Sequence, residues 1–248
     1  MLFVSDLDDT LIHSHKTVQV DDICVEFKNG KKLSYIRPEA YSLLREIAKE
    51  LLFVPITTRS LEQYQRLDLG VNPKYALAAH GALLLVDGKV DERWTLETRR
   101  MIPARLPKLH ECSLWYDIRY VDGYFVQGKS ERPRKTVELL RSIVDISKFA
   151  IYTVQNKFYV IPVDLNKGTA LKRLKDRLQA GTVICAGDSE LDISMLELAD
   201  VAIAPETLAL AHKNLHVCNR NSIAFETLTI VRKVFSEWGE EDVYSPIA

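Results

Sequence analysis

Three aspartates, Asp6, Asp8 and Asp9, crowd the end of an apolar run in "FVSDLDDTLI". Asp6 and Asp8 are two residues apart, so on an extended backbone both carboxylates project to one side. Like charges this close repel, and burial makes each costlier. A metal ion, a reaction that uses the carboxylates, or water must offset that cost. One carboxylate of such a pair can attack an electrophile, as in aspartyl-phosphate chemistry. The other can protonate a leaving group and later activate water. Elsewhere Thr57, Thr58 and Arg59 close the apolar run "LLFVPITTRS", Asp188 and Asp192 follow "TVICAG", and Lys167 opens a helical pattern. Asp6 and Asp188 offer the oxygen ligands that a hard cation such as Mg2+ takes. A threonine hydroxyl and a lysine ammonium can hold the equatorial oxygens of a phosphoryl group, where transition-state charge accumulates.

These residues need a scaffold that brings distant segments together. "LFVSD" reads as a buried strand, and "VEFKNGKKLSYI" as a hairpin turning at Asn29-Gly30. "RPEAYSLLREIAKE" reads as a helix with Pro38 in its first turn. "LLFVPITT" is a second buried strand, followed by a helix capped by Ser60 and running to Gly70, then by a strand and hairpin in "YALAAHGALLLVDGKV". The last third alternates helix and apolar strand: "GTALKRLKDRLQ", "TVICAGD", "ELDISMLELA", "VAIAP", "LHVC" and a final helix "SIAFETLTIVRKVFSEW". Buried strands separated by helices imply a parallel sheet covered on both faces. The middle reads differently, as helix, hairpin at Asp122-Gly123, helix, and hairpin at Asn156-Lys157. The expected fold is therefore α/β: a doubly wound, Rossmann-like core from residues 1–85 and 163–248, with a small α+β module inserted at 86–162. In an open parallel sheet, sites form beyond the carboxyl ends of the strands. That is where Asp6, Asp8, Thr57, Thr58, Arg59 and Asp188 fall.

With these motifs in order, the chain resembles the haloacid dehalogenase superfamily of phosphohydrolases, in its sugar-phosphatase-like branch. "DLDDT" resembles the DxDxT motif, "ITTRS" the second motif, "NKGTAL" the third and "GDSELD" the fourth. The insert lies where that superfamily carries its larger caps. "AHGALLL" resembles a segment preceding such caps, with His80 where Asn is usual. The resemblance implies that Asp6 is nucleophile and metal ligand, and that Asp8 is general acid/base with its backbone carbonyl on the metal. It implies phosphoryl binding by Thr57 in preference to Thr58, with Arg59 aligned to the motif's Arg. Lys167 then balances charge on nucleophile and phosphate, Asp188 binds Mg2+, and Asp192 supports the metal shell and Lys167. Two positions depart from the pattern: Leu191 stands where Asn is usual, and Asp9 where Gly is common. Asp9 is expected to point away from the site. The hairpin after the first motif is longer than expected and could form a flap over it.

Taken singly, the same residues have plainer uses. Acids after apolar runs are common turn residues, Asp192 suits the first turn of a helix, and a strand-end Thr57 can satisfy nearby backbone. Lys167 runs the other way, because a lysine is disfavoured at a helix amino terminus. His13 and His15 read as a solvated loop, since zinc needs three or four ligands. Among the cap cations Arg119, Lys129, Arg132, Arg134 and Lys157, one or two are expected to read the leaving group.

Bulk properties narrow the class. The chain has 248 residues, 47% hydrophobic and 27% charged, with net charge −1, which marks a globular protein without the basic footprint of nucleic-acid binding. Four cysteines lack CxxC spacing, so a zinc site or disulfide framework is not indicated and a reducing cytoplasm fits. No apolar stretch is long enough to span a membrane, and the acidic turn after the first residues is unlike a signal peptide. The expected function is Mg2+-dependent hydrolysis of a small phosphorylated metabolite, first a sugar phosphate or related polyol or glycerate ester. A phosphomutase on the same core, or a low-turnover module binding a phosphorylated ligand, are the alternatives.

Overall fold

The computed structural model describes residues 1–103 and 105–242. Its first third contains β1 (Leu2–Ser5), β2 (His13–Ser14), β3 (Ile23–Lys28), β4 (Lys31–Ile36), α1 (Pro38–Glu50), β5 (Leu52–Pro55), α2 (Leu61–Gln65), β6 (Tyr75–Ala78), β7 (Leu83–Val86) and β8 (Lys89–Val90). The middle contains α3 (Glu92–Met101), β9 (Tyr116–Val121), β10 (Phe125–Lys129), α4 (Pro133–Ile143), β11 (Phe149–Val154) and β12 (Lys157–Pro162). The last third contains α5 (Lys167–Leu178), β13 (Val183–Ala186), α6 (Ile193–Leu196), β14 (Val201–Pro205), β15 (Leu215–Cys218) and α7 (Ile223–Asp242).

The central sheet is parallel, in the order β15-β14-β13-β1-β5. The chain moves from β1 outward to β5, then returns to the other side of β1 for β13, β14 and β15. The switch point is therefore between β1 and β13, where crevices open in such sheets. Alternation along the strands fills both faces. Phe3 packs with Phe53, Ile184, α1 (Leu43, Leu44, Ile47) and α7 (Val231, Val234). Leu2 and Val4 pack on the opposite face with Val54, Cys185 and Ala202, under α5 (Leu171, Leu174) and α6 (Met195, Leu196).

The inserted sheet is antiparallel, in the order β11-β12-β10-β9. One face packs Val126, Phe158 and Val160 under Leu140 of α4 and under Leu109 and Trp115. The other turns Phe125, Tyr159 and Ile161 onto Ala78, Ala79, Ala82 and Leu191 of the core. The expected pair of cap helices is thus one helix, α4, and an irregular strip. The helix α3 packs on the core instead: Trp94 is buried in the core cluster, its indole N–H donates to Gly81 O at 3.1 Å, and Arg173 of α5 stacks on its ring at 3.7 Å. α3 buries only Trp94 and Thr98, too narrow a stripe to cover a sheet.

The expected Asn29-Gly30 and Asp122-Gly123 turns form, each with both residues in the left-handed region that type I′ hairpins require. The second cap hairpin turns one residue earlier than expected, at Gln155-Asn156, because β11 ends at Val154 and β12 resumes at Lys157. Ser60 caps α2 through a reciprocal box with Gln63, but the helix ends at Gln65, short of Gly70. His13 Nε2 donates to Asp22 Oδ2 at 2.8 Å, in a pair also joined by Arg37, so His13 is tied to its neighbours rather than free in a solvated loop. Among the described residues, no helix is long and apolar enough to cross a membrane.

Candidate active site

The carboxyl ends of β1 and β13 bring Asp6 and Asp188 together at the switch point. The ladder extends one residue past β1, with Asp6 N–H donating to Ala186 O at 2.9 Å. Thr10 stands between the two acids, its hydroxyl 3.4 Å from Asp6 Oδ2 and 3.4 Å from Asp188 Oδ1. Lys167 enters from the first residue of α5. Its ammonium donates to Asp6 Oδ1 and to Asp192 Oδ1, each at 2.5 Å, and the side chain is only 1% exposed. Two buried carboxylates thus explain a lysine at an amino terminus that would otherwise repel it. Burial alone would lower its pKa, but Asp192 and Asp6 outweigh that and raise it.

Two close approaches seat this lysine. Gly168 packs so tightly on α6 that a Cβ there would lie 2.3 Å from Ser194 O, and its N–H donates to Ser194 Oγ. Gly187 touches Asp192, where a Cβ would come within 2.4 Å of the Asp192 Cβ. Asp192 is fully engaged. Oδ2 accepts from Asp188 N–H, Ser189 N–H and the Ser189 hydroxyl, while Oδ1 takes Lys167. It orients the loop and the lysine.

Asp8 faces the cavity from the loop after β1 and is gripped by Arg59, which donates Nε to Oδ2 at 2.8 Å and Nη2 to Oδ1 at 2.7 Å. Burial works to raise the Asp8 pKa, but the guanidinium holds it below the usual carboxylate value. The cavity, about 60 Å3, is lined by Asp6, Asp8, Asp9, Thr58, Lys167, Asp188, Ser189 and Leu191 of the core and by Val154, Gln155, Lys157 and Tyr159 of the cap.

Several expected positions differ. Thr57 does not line the cavity and is fully buried. Its N–H donates to Leu77 O and its hydroxyl accepts the Arg59 N–H at 3.2 Å. Thr58 is the residue turned to the cavity, because Ile56 and Thr57 are still paired, Ile56 N–H donating to Ser5 O and Thr57 N–H to Leu77 O, and the chain departs only after them. Arg59 also stands off the cavity, engaged with Asp8, Glu26 and Ser34. Asp9 points to the site's rim rather than away from it. It holds a left-handed backbone, φ 60°, and accepts from Gln155 Nε2 of the cap at 2.8 Å. The β3–β4 hairpin contributes no residue to the cavity, so it is not a flap over the site. Of the five cap cations considered, Lys157 alone lines the cavity; Arg119 and Lys129 pair with Asp117. Leu191 packs against Phe125 and Tyr159 beneath the cap, so its side chain replaces a polar contact by an apolar seat.

One oxygen each from Asp6, Asp188 and Asp192 lie within 4.8 Å of one another. These three acids are the oxygens a cation could take, Asp192 being the most heavily engaged of them, and hard carboxylate donors suit Mg2+. The electrostatics fit the same group. Burial first, then the neighbouring acids, raises Asp6 well above the ordinary value, against the pull of Lys167. Burial and Asp192 likewise push Asp188 up to about 7. A carboxyl whose folded pKa is raised stabilises the fold fully below its unfolded pKa, near 3.8, and that contribution is lost as pH rises through the folded value. The metal-free protein should therefore lose melting temperature between pH 5 and 8, and Mg2+ should restore more of it at pH 8 than at pH 5. Equal Mg2+ shifts at both pH values in a melting scan would contradict a cation between Asp6 and Asp188.

Fold and site together define a haloacid dehalogenase-type phosphoric monoester hydrolase. The chain belongs to the sucrose-6F-phosphate phosphohydrolase family, whose model matches residues 1–212. It is 25% identical over 219 residues to phosphoglycolate phosphatase 2 of Saccharolobus solfataricus, covering 84% of this chain and 89% of that one. It is also 25% identical over 175 residues to a phosphoglycolate phosphatase of Sulfurisphaera tokodaii, covering 68% and 72%. Its fold matches the sucrose-phosphatase of Synechocystis, solved with sucrose and phosphate, at a TM-score of 0.66 and 13% identity over 96% of this chain and 98% of that one.

Proposed function

We propose that this phosphatase is Mg2+-dependent, passes through an aspartyl-phosphate on Asp6, and acts on a compact phosphomonoester. The observation that carries the reading is the placing of Asp6, Asp8 and Lys167 around one small cavity closed by the cap. Lys167 holds Asp6 Oδ1, which opposes the protonation that burial and the neighbouring acids favour and fixes the plane of the nucleophile. An Asp6 oxygen attacks phosphorus as the bond to the leaving oxygen breaks, and Asp8 delivers a proton to that oxygen. Water then attacks the acyl phosphate, Asp8 takes the water's proton, and the Asp6 carboxylate is regenerated. Arg59 keeps Asp8 ionised in the free protein; a phosphoryl dianion arriving beside it opposes Arg59 and favours the protonated form that the first step needs. Mg2+ supplies Lewis-acid stabilisation of phosphoryl charge when bound, and Asp6, Asp188 and the Asp8 carbonyl would hold it. Val154, Gln155, Lys157 and Tyr159 shield the site from bulk water. Thr58, rather than Thr57, would hold a phosphoryl oxygen.

A cavity of about 60 Å3 suits a short leaving group, and Lys157 suits one that carries a negative charge. Among sugar phosphates and related esters, this favours small acids of the phosphoglycolate kind over a phosphorylated disaccharide. The test is phosphate release from phosphoglycolate, hexose phosphates and sucrose 6-phosphate, with Mg2+ and with EDTA. Metal-dependent release that favours phosphoglycolate, with KM for it raised by Lys157→Ala, is expected. A preference for sucrose 6-phosphate would overturn the compact-substrate reading, and transfer to a second hydroxyl without release would mark a mutase. In the same assay Thr58→Val should lower kcat by about 100-fold, the scale of one lost oxyanion donor, and Thr57→Val by less than about 3-fold. The reverse ranking would return the role to Thr57.

A further inference from the structure

Glu26 has no place in the reaction just described, yet it is among the most buried carboxylates outside the cavity, at 3% exposure. It lies on β3, in the long hairpin that follows the first aspartate motif. A bulge there breaks the pairing with β4 on both sides of Glu26 and turns Val25 and Glu26 inward in succession. The hairpin is fastened to the core at this point. Glu26 bridges to Leu67, and Asp68 N–H donates to Val25 O.

The Glu26 carboxylate accepts from Ser34 Oγ at 2.6 Å, from Arg59 Nη1 at 2.8 Å and from Arg66 Nη2 and Nε at 2.8 and 3.1 Å. Arg59 is thereby clamped at both ends. Its Nε and Nη2 hold the two oxygens of Asp8, its Nη1 is held by Glu26, and Nη2 also reaches Ser34 Oγ at 3.0 Å. A guanidinium is planar, so fixing one edge fixes the direction in which the other presents its donors. We propose that Glu26 is a positioning residue: through Arg59 it sets the orientation of the Asp8 carboxylate toward the leaving oxygen. The hairpin is thus a buttress behind the acid/base. This rests on the reading of Asp8 as acid/base, and on the rule that reacting groups held slightly off their productive geometry lose large factors in rate.

An Asp8 held off its line should matter only where the leaving oxygen needs a proton. The experiment is kcat/KM, which reports phosphoryl transfer to Asp6, for aryl phosphates from 2,4-dinitrophenyl to phenyl phosphate, in wild type and Glu26→Gln. The expected result is a loss of about 30-fold or more with phenyl phosphate, within the usual reach of general acid catalysis, and less than about 3-fold with the dinitrophenyl ester. Glu26→Asp, which keeps the charge, should recover part of the loss on the poor leaving group. Ser34→Ala, a milder cut in the same cluster, should show the same selective loss on a smaller scale if Glu26→Gln does not fold. A uniform loss across the series, or none, in an active enzyme would overturn the positioning role alone. If wild type turns over phosphoglycolate but no aryl phosphate, the loss of about 30-fold is read there, on its poor alkoxide leaving group, and no loss would overturn the role; a wild type inactive toward both would overturn the phosphatase mechanism and this role with it.

Discussion

Lys167→Met should cost both fold and activity. The substitution keeps the length of the stem and removes the charge that Asp6 and Asp192 share. Those carboxylates are almost wholly buried, and breaking one partner out of a buried ion pair typically costs about 3–5 kcal/mol. Asp6, which burial already pushes toward its neutral form, can escape part of this by taking up a proton, so the loss should be larger at pH 8 than at pH 5. Activity should fall by about 1000-fold or more, because the lysine also faces the cavity where phosphoryl charge develops. Denaturant melts at the two pH values check the first statement and phosphate release the second. A variant as stable as wild type at pH 8 would mean that the lysine does not offset buried charge in this cluster.

Asp6→Asn should abolish turnover while sparing the fold. Removing a covalent nucleophile that acts in concert with its neighbours costs on the order of 10^4-fold or more. Stability should change much less than in Lys167→Met. The amide removes one of several crowded negative charges, and Lys167 retains Asp192 at 2.5 Å. The contrast between the two variants separates the charge balance of the cluster from its chemistry: one loses rate and fold, the other rate alone. Residual phosphate release at more than about a hundredth of the wild-type rate in Asp6→Asn would assign the attack to water or to another group.

The site was legible in the sequence to the extent that it lies at strand ends. Asp6, Asp8 and Asp188 follow short apolar runs, and a parallel sheet brings such ends together whatever their separation. Lys167 stood out because it defies the helix dipole, and the structure shows the two carboxylates that overcome it. Where the regular period stops, the reading fails. Thr57 and Thr58 lie beyond β5, so alternation no longer says which one faces the cavity. α3 carries a single large apolar residue on its buried stripe, and one tryptophan cannot say whether the helix covers the cap or the core. Glu26 was invisible for a related reason. Its bulge breaks the alternation of the hairpin, and its partners Arg59 and Arg66 lie 33 and 40 residues away.

The central claim is that the phosphoryl group passes through Asp6. The most direct measurement is an acid quench of the enzyme turning over phosphoglycolate with Mg2+, followed by mass analysis of the peptide containing Asp6. The account predicts a phosphate adduct on Asp6 that hydroxylamine removes and that is missing in Asp6→Asn. Turnover with no adduct on that peptide at any quench time, or an adduct on another residue, would contradict it.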